Sequence, residues 1–476
     1  MEFWSWPPAY DDNWMPPEGS RYWFPQRETM DPAAREAAIL ERLQQICAYA
    51  WEHAPFYRRK WEAAGFHPSQ LKSLEDFETR VPVTTKAELR AAQAAHPPFG
   101  DYLCIPESEV FHIHGTSGTT GRPTAFGVGR ADWRAVANAH ARVMWGMGLR
   151  PGDTICIAAI FSLYVGSWGT LAGAERLRAK AFPFGAGAAG MSARCVQWMQ
   201  MLKADAFYGT PTYALHLAQV ARDDGIDPRD IGLKVMFFSG EPGASIPAVR
   251  DRLAETFGAR IIDSGSMGEV MPWMNVAGSD VTDGMICWQD MVYTEVCDPA
   301  SFTRVPYGRR GTPVYTQLER TSQPMIRLVS GDLTLWQDGP TPCGRTYPWL
   351  PNGIIGRIDD MFTIRGENVY PSEIDAVLNE TPGYGGEHRI VITREGAMDE
   401  LCLSVEADAA TFADPARREA WQAEVARRMN RLLGLRAVVE VVEEKSIPRT
   451  DFKARRVIDD RDVLNAMRAR MAGAGT

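Results

Sequence analysis

A hydroxyl-rich loop at residues 114–124 contains the residue types needed to hold a polyphosphate. It reads His-Gly-Thr-Ser-Gly-Thr-Thr-Gly-Arg-Pro-Thr, with three glycines and five hydroxyl side chains. Backbone amides and hydroxyls of such a loop can surround phosphate oxygens, and Arg122 adds positive charge. It is not a Walker loop, because no Gly-Lys-Ser/Thr is present. By composition alone, a Ser/Thr/Gly turn between two strands is an equally good interpretation.

Two other kinds of catalytic site are not supported by the sequence. No Gly-x-Ser-x-Gly elbow occurs, which disfavours a serine hydrolase. The histidines, including His112 and His114, form no His-Glu-x-x-His or Cys/His set for zinc. The 8 cysteines include no Cys-x-x-Cys pair and indicate reduced thiols rather than a disulfide framework.

Several short motifs, spread over nearly the whole chain, follow the order of one known family. They are Leu-Glu-Arg-Leu at 40–43, Pro-Phe-Tyr-Arg at 55–58, Ser-Leu-Glu-Asp at 73–76, Thr-Thr-Lys at 84–86, Gly-Ala-Glu-Arg-Leu at 173–177, Gly-Glu-Pro at 240–242, Gly-Arg-Ile-Asp-Asp-Met at 356–361, Arg-Gly-Glu-Asn-Val at 365–369, and Ser-Ile-Pro-Arg at 446–449 with Lys453. Together with the 114–124 loop, they make the chain resemble the phenylacetate-CoA ligase family of the AMP-forming acyl-CoA synthetase (adenylate-forming) superfamily.

The resemblance implies a two-step reaction with ATP, Mg²⁺ and coenzyme A. A carboxylate first attacks the α-phosphorus of Mg-ATP to give an acyl-adenylate and pyrophosphate. The coenzyme A thiolate then displaces AMP. Such chemistry depends on positioning and on neutralising charge around phosphorus.

The resemblance also implies individual roles for charged residues. Lys453 matches the catalytic lysine of the adenylation step, and Glu269 matches the magnesium-associated glutamate. Asp263 matches the acceptor of the adenine amino group, Asp332 matches the ribose-binding aspartate, and Arg357 adds a ribose or phosphate contact. The other nucleotide-binding residues implied are Thr116, Ser117, Gly118, Thr119, Thr120, Gly121, Gly240, Glu241, Pro242, Ser264, Gly265, Ser266 and Met267.

One segment departs from the family pattern. Where family members carry Tyr-Gly-x-Thr-Glu, this chain has Gly-Ser-Met-Gly-Glu at 265–269. Gly265 replaces the tyrosine that stacks on adenine, and Gly268 replaces a phosphate-binding threonine. Loss of one aromatic stack costs on the order of 1 kcal/mol. We therefore expect weaker nucleotide binding, unless another aromatic side chain substitutes.

Phe161, Tyr164 and Trp168 follow a buried strand, at the position that lines the acid pocket in this family. Plain core packing is the alternative. A pocket walled by aromatic rings favours a flat apolar acid, so phenylacetate-like acids are the first expectation, followed by indoleacetate or a substituted benzoate. An enzyme that loads an aryl acid onto a carrier protein, and a catalytically weak binder of aryl acids or nucleotides, remain alternatives.

Alternating strand and helix signals between about 110 and 340 position these loops. Strands at 154–161, 206–209, 234–238 and 260–263 are separated by helical segments such as 246–257. This order is typical of a doubly wound α/β sheet, whose ligands bind at the carboxyl ends of the strands. We therefore expect a large N-terminal lobe over 1–356, with a helix over 31–64 near its start.

The pattern changes after residue 357 to a compact α+β unit. We expect a helix from about 371, strands at 389–393, 401–406 and 437–442, and a long helix over 416–433. The resemblance implies a hinge at 357–360 with Asp359 at its centre, and a mobile C-terminal domain over 361–476. Gly366 then lies beside the coenzyme A tunnel, where glycine permits close approach of the pantetheine arm.

Overall composition sets outer limits on function. A net charge of −9 argues against a nucleic-acid binder with a basic face. No apolar stretch approaches the roughly 20 residues that span a bilayer, and no signal peptide is evident, so we expect a cytoplasmic protein. Residues 1–30, with Trp4, Trp6, Trp14 and Trp23, are predicted to form an extended aromatic arm. This arm is expected either to pack on the body of the protein or to contact the pocket or a second subunit of a homodimer.

Overall fold

The computed structural model describes residues 5–116, 124–185, 190–241, 243–265, 267–358, 362–364, 367–395, 398–433, 436–448 and 456–459. The helices of the large lobe are α1 (Pro25–Glu28), α2 (Pro32–His53), α3 (Pro55–Ala63), α4 (Leu74–Arg80), α5 (Lys86–Ala95), α6 (Arg130–Gly146), α7 (Val165–Leu177), α8 (Met191–Leu202), α9 (Pro211–Asp223) and α10 (Pro247–Phe257). Its strands are β1 (Val110–Thr116), β2 (Thr124–Gly129), β3 (Thr154–Ile157), β4 (Lys180–Phe182), β5 (Ala206–Gly209), β6 (Val235–Phe238), β7 (Arg260–Gly265), β8 (Val276–Ala277), β9 (Met285–Cys287), β10 (Val292–Cys297), β11 (Arg310–Gln317), β12 (Leu328–Val329), β13 (Asp332–Leu335), β14 (Trp349–Leu350) and β15 (Ile354–Arg357).

The main sheet of the large lobe has the order β14-β9-β8-β7-β6-β5-β3-β4. Strands β4, β3, β5, β6 and β7 are parallel neighbours, whereas β8, β9 and β14 extend the sheet in antiparallel fashion. The carboxyl ends of the parallel strands therefore lie along one edge, which is where the loops after β3, β5, β6 and β7 meet.

Both faces of this sheet are buried, because alternate side chains of each strand point to opposite sides. Ile155 and Ile157 of β3 pack in a core that includes α6 and α7, whereas Cys156 between them packs with residues of α8, α9 and α10. The predicted doubly wound α/β arrangement is therefore confirmed.

The predicted elements of this lobe are largely present, with two corrections. The helix expected over 31–64 is two helices, α2 and α3, separated at Ala54, whose φ is −118° and ψ is 97°. Ala54 precedes Pro55, and the proline ring disfavours helical backbone at the preceding residue. The strand expected over 154–161 ends at Ile157, because the chain then leaves the sheet to form the loop before α7.

A second sheet with the order β10-β11-β13-β15, with β12 paired to β11, completes the large lobe. In the antiparallel pair of β13 and β15, Asp332 lies opposite Arg357. The hairpin of β1 and β2 pairs Thr116 with Thr124, so it brackets the hydroxyl-rich loop.

The described elements from Phe362 onward form a smaller lobe. Its helices are α11 (Pro371–Asn379), α12 (Ala409–Ala413) and α13 (Pro415–Leu433), and its strands are β16 (Phe362–Ile364), β17 (Glu367–Val369), β18 (Tyr384–Glu395), β19 (Met398–Ala407), β20 (Ala437–Glu443) and β21 (Val457–Asp459). The sheet order is β20-β19-β18-β21, and its core is separate from those of the large lobe. This is the α+β unit predicted from the sequence; the boundary at 357–360 and the mobility of this lobe stay predictions.

The aromatic arm packs on the large lobe. Trp23 is fully buried and makes edge-on ring contacts with Trp14 and Trp145. The guanidinium of Arg176, on α7, donates hydrogen bonds to the backbone carbonyls of Asp11 and Trp14. These contacts correspond to the first alternative expected for the arm, which is packing on the body of the protein.

All eight cysteines are free thiols. Within the described ranges, no helix combines the length and the apolar character needed to cross a membrane. The same ranges hold no group of three or more His, Cys, Asp and Glu side chains arranged to bind a metal ion.

Candidate active site

Three hydroxyl groups meet at the carboxyl ends of the parallel strands. Tyr208 lies near the end of β5, Ser239 directly follows β6, and Tyr164 precedes α7. The oxygens of Tyr208 and Ser239 are 2.6 Å apart, and the Tyr164 hydroxyl lies 3.1 Å from Ser239 and 3.2 Å from Tyr208. We call these three residues the hydroxyl cluster. Burial raises the pKa of the Tyr164 and Tyr208 phenols, so both are neutral donors and acceptors at physiological pH.

The ring of Tyr164 is held in this position because residue 166 is a glycine. A Cβ atom added at Gly166 would lie 2.4 Å from the Tyr164 ring and 2.5 Å from its hydroxyl oxygen. Such a contact is far inside van der Waals distance. Glycine at 166 thus permits the Tyr164 side chain to fold over the first turn of α7 and reach Ser239.

The wall behind the hydroxyl cluster is aromatic. The ring of Trp273 lies 5.5 Å from that of Tyr208 and 5.4 Å from that of His140. His140 is fully buried, and burial lowers the pKa of its imidazole to about 4, so the ring is neutral.

The other two residues predicted to line the pocket pair with each other. Phe161 and Trp168 meet edge to face, with ring centroids 5.1 Å apart. The indole N–H of Trp168 donates to the carbonyl of Ser162. Both rings are partly exposed. Of the three predicted pocket residues, Tyr164 is the one whose side chain hydrogen-bonds to residues at the strand ends.

The acids predicted to bind the nucleotide base and sugar lie in different sheets of the large lobe, Asp263 on β7 and Asp332 on β13. A carboxylate oxygen of Asp332 is 3.4 Å from Nη1 of Arg357. Asp263 is buried and accepts a hydrogen bond from the backbone N–H of Ser245 at 3.0 Å. Burial raises the pKa of the Asp263 carboxyl to about 7.

Gly265 occupies backbone that suits glycine. Its φ is +132°, and an added Cβ would lie 3.3 Å from Ser239 Cβ and 3.7 Å from the Trp273 ring. A tyrosine at this position would therefore be strained, which is a structural reason for the departure from the family pattern. Among the atoms nearest to a Cβ added at Gly265, those of Trp273 are the ones that belong to an aromatic ring.

Glu269 is the residue that the family resemblance matches to the magnesium-associated glutamate. It is almost fully buried, and its carboxylate is 3.7 Å from the ammonium of Lys86 at the start of α5. The preceding residue, Gly268, packs against Thr116 at the end of β1, since an added Cβ would lie 3.2 Å from Thr116 Cγ2. A buried carboxylate beside the start of the hydroxyl-rich loop fits a hard cation such as Mg²⁺.

The Gly240-Glu241 segment is held by α9. The Glu241 carboxylate accepts hydrogen bonds from the backbone N–H and the hydroxyl of Thr212, at 2.8 and 2.6 Å. Burial raises the pKa of Glu241. The Ser264 hydroxyl donates to the carbonyl of Phe238, and Met267 is buried in the core.

Several predicted site residues lie outside the described residues. They are Ser117, Gly118, Thr119, Thr120, Gly121, Pro242, Ser266, Asp359, Gly366 and Lys453. Their roles stay predictions.

Sequence reasoning missed four residues of this region. Tyr208 and Ser239 complete the hydroxyl cluster, Trp273 backs it, and Lys86 pairs with Glu269. The position of Tyr208 and Ser239 at the ends of predicted strands was a usable signal. Nothing in the local sequence indicates that Trp273 and Lys86 approach the site.

Comparisons with known proteins identify one class of enzyme that the chain resembles in sequence and fold. Residues 366–461 match the family model of the AMP-binding enzyme C-terminal domain. The phenylacetate-coenzyme A ligase of Thermus thermophilus is 33% identical over 450 residues, which cover 91% of this chain and 98% of that protein. A crystal structure of a 2-hydroxyisobutyryl-CoA ligase with 2-HIB-AMP, in the postadenylation state, is 68% identical with a TM-score of 0.94 and 99% coverage of both chains.

The fold and the comparisons together define an adenylate-forming acyl-CoA ligase. The chain belongs to the phenylacetate-CoA ligase family.

The arrangement of the two lobes resembles one reaction state in particular. A structure of the 2-hydroxyisobutyryl-CoA ligase with 2-HIB-AMP and CoA in the thioesterification state is 69% identical and also covers 99% of both chains, yet its TM-score is 0.76. Since identity and coverage are nearly equal for the two states, the present structure is closer to the postadenylation arrangement.

Proposed function

We propose that this enzyme activates a short 2-hydroxy acid, of the size of 2-hydroxyisobutyrate, with Mg-ATP and transfers the acyl group to coenzyme A. The observation that carries the proposal is the hydroxyl cluster of Tyr164, Ser239 and Tyr208. The cluster offers donors and acceptors that a substrate hydroxyl can use and that a purely apolar acid cannot.

The cluster favours a small hydroxylated substrate for two reasons. The Tyr164 ring, folded over Gly166, occupies space beside the strand ends that an aryl group would need. Its hydroxyl and that of Ser239 can exchange hydrogen bonds with a substrate hydroxyl. A site built to bind a hydroxyl group discriminates strongly against an analogue that lacks it.

Sequence similarity supports the same substrate class. The chain shares 68% sequence identity with the 2-hydroxyisobutyryl-CoA ligase, compared with 33% for the phenylacetate-coenzyme A ligase of Thermus thermophilus.

In the first step, a carboxylate oxygen of the acid attacks the α-phosphorus, and the bond to pyrophosphate breaks. Lys453 is proposed to neutralise charge on the carboxylate and the α-phosphate. Asp332 accepts hydrogen bonds from the ribose hydroxyls, with Arg357 beside it. Glu269 would hold Mg²⁺, which neutralises charge on the triphosphate when bound. In the second step, the coenzyme A thiolate attacks the acyl carbon and AMP leaves.

An aryl or arylacetate substrate, with phenylacetate or indoleacetate as examples, is the second candidate. The edge-to-face pair of Phe161 and Trp168 supports it, because partly exposed aromatic rings near the pocket can pack against an aryl group. The relatives are CoA ligases, so neither a carrier-protein acceptor nor a non-catalytic binder is proposed.

The test is a panel of acids assayed for AMP release in the presence of coenzyme A. We expect kcat/KM for 2-hydroxyisobutyrate to exceed that for isobutyrate, which differs only by the hydroxyl, by about tenfold or more. Phenylacetate and indoleacetate should be poorer still. Higher kcat/KM for phenylacetate than for 2-hydroxyisobutyrate would refute the proposal in favour of the second candidate.

A further inference from the structure

Arg252 of helix α10 in the large lobe contacts the small lobe. Nη1 of Arg252 donates a hydrogen bond to the side-chain oxygen of Asn379, the last residue of α11, at 3.2 Å. The Arg252 guanidinium also lies 5.9 Å from the centre of the Tyr384 ring.

The backbone at Gly386 permits this approach. An added Cβ at Gly386 would lie 3.1 Å from Nη2 of Arg252, and the residue has φ of +103°. The Arg252 side chain thus touches both the end of α11 and the start of β18.

The next residue after Gly386 belongs to a network that holds β21. The Glu387 carboxylate accepts a hydrogen bond from Nε of Arg456 at 2.5 Å, and Nη1 of Arg456 is 3.5 Å from Asp375 of α11. Asp375 in turn lies 2.9 Å from Nε2 of His388. Arg456 directly precedes β21 and is three residues after Lys453 in the sequence.

We propose that Arg252 is a positioning residue for the adenylation step. It seats Asn379, Tyr384 and Gly386 of the small lobe against α10, and the predicted catalytic residue Lys453 belongs to the same C-terminal domain by its place in the sequence. The proposal rests on the proposed function of Lys453. It is also consistent with the comparison structures, since this lobe arrangement differs from that of the neighbour in the thioesterification state.

The consequence is a separation of the two half-reactions. A contact that forms in just one lobe arrangement stabilises that arrangement, and it therefore favours the half-reaction that takes place there. Removal of the Arg252 side chain should therefore slow adenylation and leave thioester formation unchanged or faster.

The experiment compares Arg252→Ala with Arg250→Ala in the full-length enzyme. Arg250 lies on the same helix but pairs with Asp251 and Asp283 of the large lobe, so it is a matched control. Adenylation is measured as acid-dependent ATP–pyrophosphate exchange with the best acid of the panel. Thioester formation is measured in single turnovers from supplied acyl-adenylate and coenzyme A.

We expect Arg252→Ala to lower the exchange rate about tenfold, equivalent to about 1.4 kcal/mol, with no loss in the thioester half-reaction. Arg252→Lys should restore part of the exchange rate, and Asn379→Ala should add little in the Arg252→Ala background. An equal loss in both half-reactions, an unchanged exchange rate, or the same effect in Arg250→Ala would overturn the proposal.

A readout without catalysis separates this proposal from the proposed function. Backbone amides of residues 382–388 should exchange hydrogen faster in Arg252→Ala than in the wild type and in Arg250→Ala. If no acid supports exchange of pyrophosphate in the wild type, the proposed function fails, and unchanged amide exchange would overturn the seating of the small lobe by Arg252.

Discussion

At the scale of single residues, three oxygen atoms from separate segments of the chain form the hydroxyl cluster, which we propose sets the polarity of the acid pocket. Tyr164, Tyr208 and Ser239 satisfy one another within 3.2 Å. A buried hydroxyl that can be shared with a substrate makes binding sensitive to the presence of one oxygen atom.

Replacement of Tyr164 by phenylalanine tests that sensitivity. The variant keeps the ring over Gly166 and loses only the hydroxyl, so the preference for 2-hydroxyisobutyrate over isobutyrate should fall about tenfold, the value of one hydrogen bond of roughly 1–1.5 kcal/mol. The measurement is the ratio of kcat/KM for the two acids. Tyr49→Phe is the control, because its hydroxyl donates to the Thr321 carbonyl; an unchanged ratio in Tyr164→Phe would contradict the proposed role.

Lys453→Ala tests the catalytic lysine. We expect acid-dependent ATP–pyrophosphate exchange to fall by about a hundredfold or more, as for loss of one transition-state charge contact. Thioester formation from supplied acyl-adenylate should be nearly unaffected. Lys72→Ala, at an exposed position, is the control, and retained exchange in Lys453→Ala would remove this residue from the mechanism.

At the scale of elements, α7 joins the pocket to the core through its glycines. Gly169 and Gly173 face His140 of α6, and an added Cβ at either position would lie 2.5 Å from that side chain. The two helices therefore pack closely, which fixes the start of α7 and with it the loop that carries Tyr164. The shape of the pocket is thus coupled to a helix–helix contact outside it.

Gly166→Ala should change the size of the pocket. The new methyl group would occupy the space of the Tyr164 ring and displace it from the strand ends. We expect kcat/KM for 2-hydroxyisobutyrate to fall. The ratio of kcat/KM for phenylacetate to kcat/KM for 2-hydroxyisobutyrate should rise. In a Tyr164→Ala background the same substitution should have little further effect, whereas additive losses would indicate general damage to α7.

At the scale of the whole molecule, the N-terminal arm is part of the buried structure of the large lobe. Glu28 of α1 is fully buried and accepts hydrogen bonds from Nε of Arg142 at 3.0 Å and from Nε of Arg345 at 2.8 Å. Arg142 also donates to Asp290 and Tyr347. The arm thus supplies the counter-charge for two buried guanidinium groups.

Glu28→Gln should destabilise the enzyme, because it leaves both guanidinium groups without that charge. Breaking a buried pair by changing one partner costs about 3–5 kcal/mol, so we expect a clear fall in the thermal midpoint. The ratio of activities on the panel acids should be retained below that temperature. Glu18→Gln, at an exposed position of the arm, should leave the midpoint unchanged; an equal fall there would contradict this account.

The sequence alone determined the alternating strands and helices of the parallel sheet, the doubly wound large lobe and the separate α+β unit, and the family resemblance of its motifs indicated the reaction class. These features depend on local patterns, namely buried strand runs, turns, and motifs a few residues long. The helix break at Ala54 also had a local signal, since Pro55 follows it.

Tertiary structure decided which of those segments meet. The hydroxyl cluster joins residues up to 75 positions apart, the Lys86–Glu269 pair spans the large lobe, and Arg252 reaches Asn379 across the two lobes. Apart from the position of Tyr208 and Ser239 at the ends of predicted strands, these contacts have no local pattern, because they depend on how distant strands and helices pack. The inferred substrate class and the proposed positioning role of Arg252 both depend on such long-range contacts.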